Sequence, residues 1–238
     1  MKKTYLMILI IVLVSVNSIL FNAKSEDNLE DILQKTTSKI LEKPAKMAKK
    51  TESIESGQII FKVKRTNLWV KEKSKDKKNN NEFVEITLPG KLYNPPKEIF
   101  TIEKKDVDRS SIENTVASVF SANKAGDLNW IIDNFTDSDK EEIKKLFKNK
   151  KILEESESDA QKIISIYIIG QVDYKDSVLV FIEQDYLDGR KVKESLACKK
   201  TEKGWKVTNK FASDKTFDIV FAALSSGKIS LKGKDSKS

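Results

Sequence analysis

The 238-residue sequence contains no histidine. Imidazole activates serine and cysteine nucleophiles, transfers protons near neutral pH and binds transition metals. Its absence therefore excludes Ser-His and Cys-His catalytic pairs, histidine acid–base chemistry and imidazole metal sites. The sequence also lacks a glycine-rich phosphate loop and carboxylates at calcium-loop spacing, so we expect no metal and no cofactor.

Cysteine is nearly absent as well, because Cys198 is the single one in the sequence. One cysteine cannot form an internal disulfide, so packing must supply the stability of the chain. Cys198 shares alternate positions with Val192 and Leu196, a spacing typical of the inward face of a strand. The pattern predicts a buried, unreactive thiol.

Arginine is scarce, with three residues among the 44 basic ones, although the net charge is +8. Bidentate recognition of phosphates and bases favours arginine, and the lysines here are interspersed with acids. This distribution predicts a solvated, lysine-coated surface and no nucleic-acid partner. Residues 71–82 contain no apolar side chain and are expected to form a solvated loop, and the neighbouring Trp69 is interpreted as a half-buried strand residue.

The first 23 residues, MKKTYLMILIIVLVSVNSILFNA, have the pattern of a secretory signal. Two lysines precede an uninterrupted apolar run from Leu6 to Val14, and a more polar stretch follows. The run is short for a membrane-spanning helix, which needs about 20 residues. We expect cleavage after Ser18 or Ala23 and export to the periplasm or the medium. The alternative is an uncleaved anchor, which would be the chain's one contact with a membrane.

Residues 24–56 are polar and have a weak helical pattern of apolar positions: Leu29, Ile32, Leu33, Ile40 and Leu41. We interpret this segment as a partly helical tether. The alternative is a helix that docks on a partner or lies on a membrane surface.

Residues 57–107 have the alternating texture of a small β-rich region, with strand candidates in IIFKV, NLWVK, EFVEITL and EIFTIEK. LPGKLYNPPKE, residues 88–98, contains a Pro-Pro pair and is expected to form an irregular connection.

Residues 109–148 are predicted to be helical. Capping boxes are expected to begin at Ser110 and Ser138, since a glutamate follows each serine three positions later. Gly126 is expected to end the first helix in a left-handed conformation. Asp127 then caps the next helical turn, so we interpret this acid as structural rather than catalytic.

Residues 162–211 are predicted to form four consecutive strands. Asp188-Gly189 is the dipeptide of a tight type I′ hairpin between the second and third. The second strand is apolar at every position over residues 178–182, so it is either central and covered on both faces or part of a strongly curved sheet. Residues 212–224 fit a last strand or a closing helix equally well, and residues 225–238 are expected to be a loose basic tail.

Two stretches carry a resemblance to a known family. VFSANKAGDLNWIIDNF joins two helical segments through a Gly-Asp corner, and KKTEKGWKVTNKF has the form of a final hairpin. Together they resemble the SnoaL-like superfamily, also called nuclear transport factor 2-like or the cystatin-like cone. The resemblance covers residues 109–211, which are 103 of 238. Two parts of the chain differ from the smallest domains of this family. The connection KNKKILEESESDAQ is long and acid-rich, and residues 57–107 have no counterpart there.

The resemblance implies an α+β fold in which helices pack on a curved antiparallel sheet, here over residues 108–224 and preceded by the small β-rich region. It also implies a conical pocket between the helices and the sheet. Four aromatic residues are the candidates for lining that pocket and binding an apolar ligand: Trp130, Tyr167, Phe181 and Trp205.

For an enzyme without histidine, the resemblance implies a carboxylate that acts as the base and a hydroxyl group or neutral acid that stabilises the enolate. The residues of these types on neighbouring strands are Tyr167, Asp173, Tyr174, Asp185 and Tyr186. The two Asp-Tyr pairs among them flank turns, where such residues are common. We therefore assign no catalytic residue. The expected function is that of an exported, non-catalytic binding protein of the cell envelope, holding a small apolar molecule or a protein partner, with a homodimer as an open alternative. An isomerase- or dehydratase-type enzyme and a structural subunit of an envelope assembly remain the rival functions.

Overall fold

The computed structural model describes residues 53–69 and 82–232. The predicted signal or anchor, the polar segment up to residue 52, most of the lysine-rich loop and the last six residues lie outside this range. Within the described residues the chain forms seven β-strands and five α-helices, which makes it an α+β protein, as predicted. No helix in this range is long and apolar enough to cross a membrane.

The elements follow one another along the chain in the order β1 (Ser53–Lys64), β2 (Phe83–Ile99), α1 (Ile112–Lys124), α2 (Leu128–Asp133), α3 (Lys140–Phe147), α4 (Lys150–Gln161), β3 (Ile163–Tyr174), β4 (Ser177–Tyr186), β5 (Lys191–Thr201), β6 (Gly204–Val207), α5 (Lys215–Ser226) and β7 (Lys228–Leu231). The strands form one antiparallel sheet in the order β6-β5-β4-β3-β2-β1-β7. The two strands of the β-rich region therefore continue the same sheet as β3 to β6.

The sheet has a hydrophobic core on each face. Helices α1 to α4 cover one face and form the first core, in which Val116, Trp130 and Leu146 pack with sheet residues such as Ile182. Helix α5 covers part of the other face and forms the second core with sheet residues that include Phe61, Val172 and Phe181. One face of the sheet is thus covered by four helices and the other is covered in part by one helix.

Strand β4 explains why both layers are needed. Val178, Val180 and Ile182 belong to the first core, whereas Leu179 and Phe181 belong to the second. Of the two alternatives that the sequence left open, the structure therefore supports an interior strand covered on both faces.

Strand β3 also contributes to both cores, because β-bulges reverse its alternation. Its pairing with β4 shifts register between Ile163 and Ser165 and again between Ile168 and Gly170. One extra residue moves every following side chain to the opposite face. Ile168 accordingly packs in the first core and Val172 in the second, although both positions are even.

The corner between α1 and α2 is built as predicted. Gly126 adopts a left-handed φ of 60° after the last turn of α1. The Asp127 side chain accepts a hydrogen bond from the backbone N–H of Trp130 at 3.0 Å, which caps α2. The Gly-Asp pair is therefore a hinge between two helices.

Both predicted capping boxes are wrong in position. Helix α1 is capped by Ser111, which accepts a hydrogen bond from the Asn114 N–H, because the Ser110 hydroxyl donates instead to Asp108 at 2.7 Å. Helix α3 follows Asp139, whose side chain makes no capping hydrogen bond. The Ser138 hydroxyl lies 3.0 Å from that of Thr136.

Three predicted connections differ from the structure. The acid-rich segment 148–161 contains α4. Residues 88–98 lie in β2, and the irregularity is confined to the stretch between Leu92 and Lys97, where the prolines interrupt pairing with β3. Trp69 lies beyond β1, after a 3₁₀ turn over Arg65–Asn67, rather than in a strand.

The hairpin between β4 and β5 is not type I′. Gly189 has a φ of 84°, but Asp188 is not left-handed, whereas a type I′ turn requires positive φ at both central residues. The Gly189 N–H donates a hydrogen bond to the Tyr186 carbonyl, and the Tyr186 N–H donates one to the Arg190 carbonyl. The loop therefore has three residues and ends on a left-handed glycine.

The sequence left open whether residues 212–224 form a last strand or a closing helix. Residues 215–226 form helix α5, capped by Asp214, so the closing element is helical. Part of the segment expected to be loose is ordered, because Lys228–Leu231 pairs with β1 as strand β7. Cys198 is fully buried in the first core, as predicted, and burial raises the pKa of its thiol to about 12.

Replacing Asp127 with alanine tests the hinge. We expect Asp127→Ala to lower the free energy of unfolding by about 1 kcal/mol, since α2 loses its cap, as measured by chemical denaturation. Asp127→Asn is the matched control, because asparagine caps helices as well but cannot form the ion pair with Lys104 (2.7 Å). Equal losses in both variants would show that the ion pair, and not the cap, matters.

Candidate functional site

The four aromatic residues predicted to bind a ligand are not brought together. Trp130 is 5% exposed in the first core, where its indole N–H donates to Ser118 Oγ at 2.8 Å. Trp205 packs against the same core. Phe181 lies in the second core, on the opposite face of the sheet, with its ring centroid 5.5 Å from that of Phe61.

Tyr167 is half-buried in the middle of β3, between Glu98 of β2 and Glu183 of β4. Its neighbours Ile166 and Ile168 point into the first core, so Tyr167 points to the opposite face. The sheet thus separates Trp130 and Trp205 from Phe181 and Tyr167. Their role as ligand-binding residues stays a prediction.

The candidate catalytic residues are also dispersed. Asp173 is exposed on β3. The Tyr174 hydroxyl donates to Asp214, the N-cap of α5, at 3.0 Å. Asp185 forms an ion pair with Lys191 at 2.8 Å. Of these residues, Tyr186 is the one that lines a polar cavity between the helices and the sheet.

This polar cavity lies in the first core, between helices α1 and α4 and strands β4 and β5. Its volume is about 30 Å³, which holds about two water molecules. Six polar residues line it together with apolar neighbours: Asn123, Ser156, Asp159, Gln184, Tyr186 and Glu194. The polar cavity lies between the helices and the sheet, where the family resemblance implies a ligand pocket, but it is small and its lining is largely polar.

Hydrogen bonds connect the polar residues of the cavity into a chain. The Gln184 amide donates to Glu194 Oε1 at 2.6 Å. The Tyr186 hydroxyl lies 2.9 Å from Asp159 Oδ2 and 3.1 Å from Gln184 Oε1. Its single proton is therefore shared between two acceptors. Helix α4 supplies Asp159, and the two strands supply the other three groups.

The electrostatics of the cavity are unusual because two carboxyl groups are buried in it. Burial, and then the nearby charge of Asp159, raises the pKa of Glu194 to about 8. Burial and the same carboxylate also raise the pKa of Tyr186. None of the six polar lining residues is a cation. Glu194 is therefore a neutral acid at physiological pH, beside a carboxylate.

Sequence reasoning missed Glu194, although its signal was present. Val192, Leu196 and Cys198 were assigned to the inward face of a strand, and Glu194 occupies the same alternation. In the same way Gln184 continues the inward series of β4 that begins at Val178. A polar residue within an inward-facing series indicates a buried hydrogen-bonded group.

The arrangement can hold and share protons, and it has room for water. Among the described residues, no group of three or more His, Cys, Asp or Glu side chains is placed to bind a metal ion.

A surface cleft adjoins the polar cavity. Its volume is about 130 Å³, and it shares Phe120, Ala160 and Ile163 with the cavity wall. Phe100 and Ile164 flank it and are 72% and 58% exposed. Ile164 projects here because it is the extra residue of the first bulge in β3. We call this site, with its rim of Phe100 and Ile164, the bulge cleft.

The buried acid predicts a pH dependence of stability. Glu194 has a folded-state pKa of about 8 against an ordinary value of 4.5. Between these values the folded state keeps a proton that the unfolded chain has released, so the free energy of unfolding falls as pH rises. The limiting slope is about 1.4 kcal/mol per pH unit.

Chemical denaturation at several pH values between about 5 and about 8 tests this expectation. The window is free of histidine titration, since the chain has none. Glu194→Gln should flatten the slope and retain the bond from Gln184, whereas Glu202→Gln, at an exposed position, should leave the slope unchanged. An unaltered slope in Glu194→Gln would contradict the assignment of a protonated Glu194.

The tyrosine in the hydrogen-bond chain gives a second test. Tyr186→Phe removes the donor to Asp159 and leaves that buried carboxylate short of a partner, so we expect a loss of about 1–3 kcal/mol in the free energy of unfolding. Tyr167→Phe is the matched control on the neighbouring strand, at a half-buried position outside the cavity. A loss no larger than that of the control would argue that water replaces the hydroxyl.

Comparison with protein-family models, with curated proteins and with solved structures finds no match for this chain.

Proposed function

We propose that this chain is an exported, non-catalytic interaction protein of the cell envelope, with the bulge cleft as its binding site for an apolar side chain of a protein partner. We further propose that its helices and antiparallel sheet form a SnoaL-like cone. The helices α1 to α4 over β3 to β6, and the Gly-Asp corner between α1 and α2, support the cone.

The observation that carries the proposal is the exposure of Phe100 and Ile164 at one cleft. Large apolar side chains are normally exposed singly, but here two of them meet at a concave site. The cleft is walled by core residues such as Ile99 and Phe120, so a side chain that enters it contacts a packed, rigid surface.

Three features favour a protein partner over a small ligand or a substrate. The polar cavity has a volume of about 30 Å³, whereas ligand pockets usually measure about 300–1,000 Å³. The predicted aromatic ligand residues lie on both faces of the sheet. The bulge cleft is itself small, which suits the anchoring of one side chain.

Another cleft, of about 230 Å³, lies beside the turn between β5 and β6. Its charged groups already pair with protein neighbours, as Asp137 does with Lys140 at 2.7 Å. Lys206 donates there to the Asp133 carbonyl. The apolar lining residue of this cleft, Phe135, is buried. The cleft therefore lacks the exposed apolar groups that distinguish the bulge cleft.

The two rival functions stay predictions. An isomerase or dehydratase would use the neutral acid Glu194 and the carboxylate Asp159, but it requires a larger space for substrate than the cavity provides. A structural envelope subunit requires the uncleaved anchor, and that segment lies outside the described residues.

Photo-crosslinking in the producing cell tests the binding site. With p-benzoylphenylalanine at position 100, we expect a discrete adduct with an envelope protein. A second substitution in the same chain, Ile164→Asp, should suppress that adduct because it places a charge on the opposite rim. The same crosslinker at Phe83, which is exposed on the far part of β2, is the positional control.

Native mass spectrometry of the gently purified chain complements the crosslinking. A bare protein mass together with an Ile164-dependent adduct supports a protein partner. A stoichiometric small-molecule adduct, or crosslinking that is indifferent to Ile164→Asp, would overturn the proposed binding mode.

A further inference from the structure

The bulge cleft sets a protruding apolar side chain and a recess side by side on one surface. Phe100 is 72% exposed and borders the cleft, whose volume is about 130 Å³. An apolar cavity of about 150 Å³ binds benzene, so the cleft has about the size of one aromatic ring. A surface that carries both a protruding ring and a recess of that size is suited to bind a second copy of itself.

We infer that the partner at the bulge cleft is a second copy of this chain, related by a two-fold axis that places Phe100 of each copy in the cleft of the other. This inference rests on the proposed function, because it names the partner of the same site. In a two-fold interface both subunits use the same patch, and such dimers are the commonest oligomers of soluble proteins. Each site is then completed by a residue from the other copy.

The sheet keeps the protruding ring and the recess close together. Phe100 directly follows Ile99, the last residue of β2, which pairs with Ile166 of β3. Ile164 lies two residues before Ile166, and it borders the same cleft as Phe100. Because the ring and the recess are neighbours, an axis that passes between them lets both rings enter at once and pack on each other.

The charges on the wall of the cleft are self-complementary. Glu98 of β2 and Lys124 of α1 both line it, and neither forms an ion pair within the part of the chain that the structure describes. The Lys124 ammonium group donates instead to the Ile163 carbonyl at 3.3 Å. A two-fold axis between the two elements sets Glu98 of one copy opposite Lys124 of the other, twice in each dimer. A wall with one charge of each sign favours a second copy over a purely acidic or purely basic partner.

Sedimentation velocity of the gently purified chain over a range of concentrations tests the inference. We expect a reversible equilibrium between monomer and dimer. Phe100→Asp should raise the dissociation constant about tenfold or more, because each dimer loses two apolar anchors. Phe83→Asp is the matched control, since Phe83 is 55% exposed on the far part of β2. A monomer at every concentration, or a dimer that Phe100→Asp leaves unchanged, would overturn the inference.

Exchanging the two wall charges tests the two-fold arrangement. Glu98→Lys sets lysine against lysine in its own dimer, and Lys124→Glu sets glutamate against glutamate. Each variant alone should therefore dimerise several-fold more weakly at low ionic strength, where exposed charges are least screened. An equimolar mixture of the two variants has an unlike pair at both contacts, so it should regain the dimer. A mixture that stays as monomeric as its separate components would overturn the two-fold arrangement.

The cellular adduct from p-benzoylphenylalanine at position 100 separates this inference from the proposed function. An adduct between two differently tagged copies of the chain supports the inference. An Ile164-dependent adduct with a different envelope protein would overturn the inference and leave the proposed function intact. The lack of any Ile164-dependent adduct would overturn the proposed function, even if the purified chain dimerises through Phe100.

Discussion

Strand β4 carries apolar side chains on both faces, and the rest of the fold is arranged around that constraint. A strand of this kind is stable only in the interior of a sheet with a layer on each side. Helices α1 to α4 provide one layer and α5 provides the other. The bulges in β3 serve the same purpose, since they let a neighbouring strand contribute first to one core and then to the other.

At the polar cavity, the apolar packing of the first core gives way to a hydrogen-bonded chain. Glu194, Gln184 and Tyr186 extend inward-facing series that are otherwise apolar, and Asp159 meets them from α4. Buried polar groups are costly unless they are satisfied, so this cluster constrains how α4 can dock on the sheet. Protonation of Glu194 reduces that cost, because it leaves one buried charge where two would repel each other.

The bulge cleft follows from the same geometry. Ile164, the extra residue in β3, is exposed close to the end of β2, where Phe100 is exposed as well. The cleft between them and the polar cavity share three wall residues, so a ligand at the surface contacts the residues that enclose the buried acid. This proximity links the surface proposed for recognition to the part of the core that contains Glu194.

The sequence by itself determined the α+β class, the buried thiol of Cys198 and the hinge at Gly126-Asp127, because each depends on local periodicity or on the chemistry of one turn. It misplaced the caps at Ser110 and Ser138, since neighbouring side chains compete for the same hydroxyl groups. The sequence also grouped Trp130 and Phe181 in one candidate site, although they lie on opposite faces of the sheet. Only the tertiary structure brought Asp159 to Glu194 and Phe100 to Ile164, because strand order and bulges, which set contacts between distant residues, leave no local pattern.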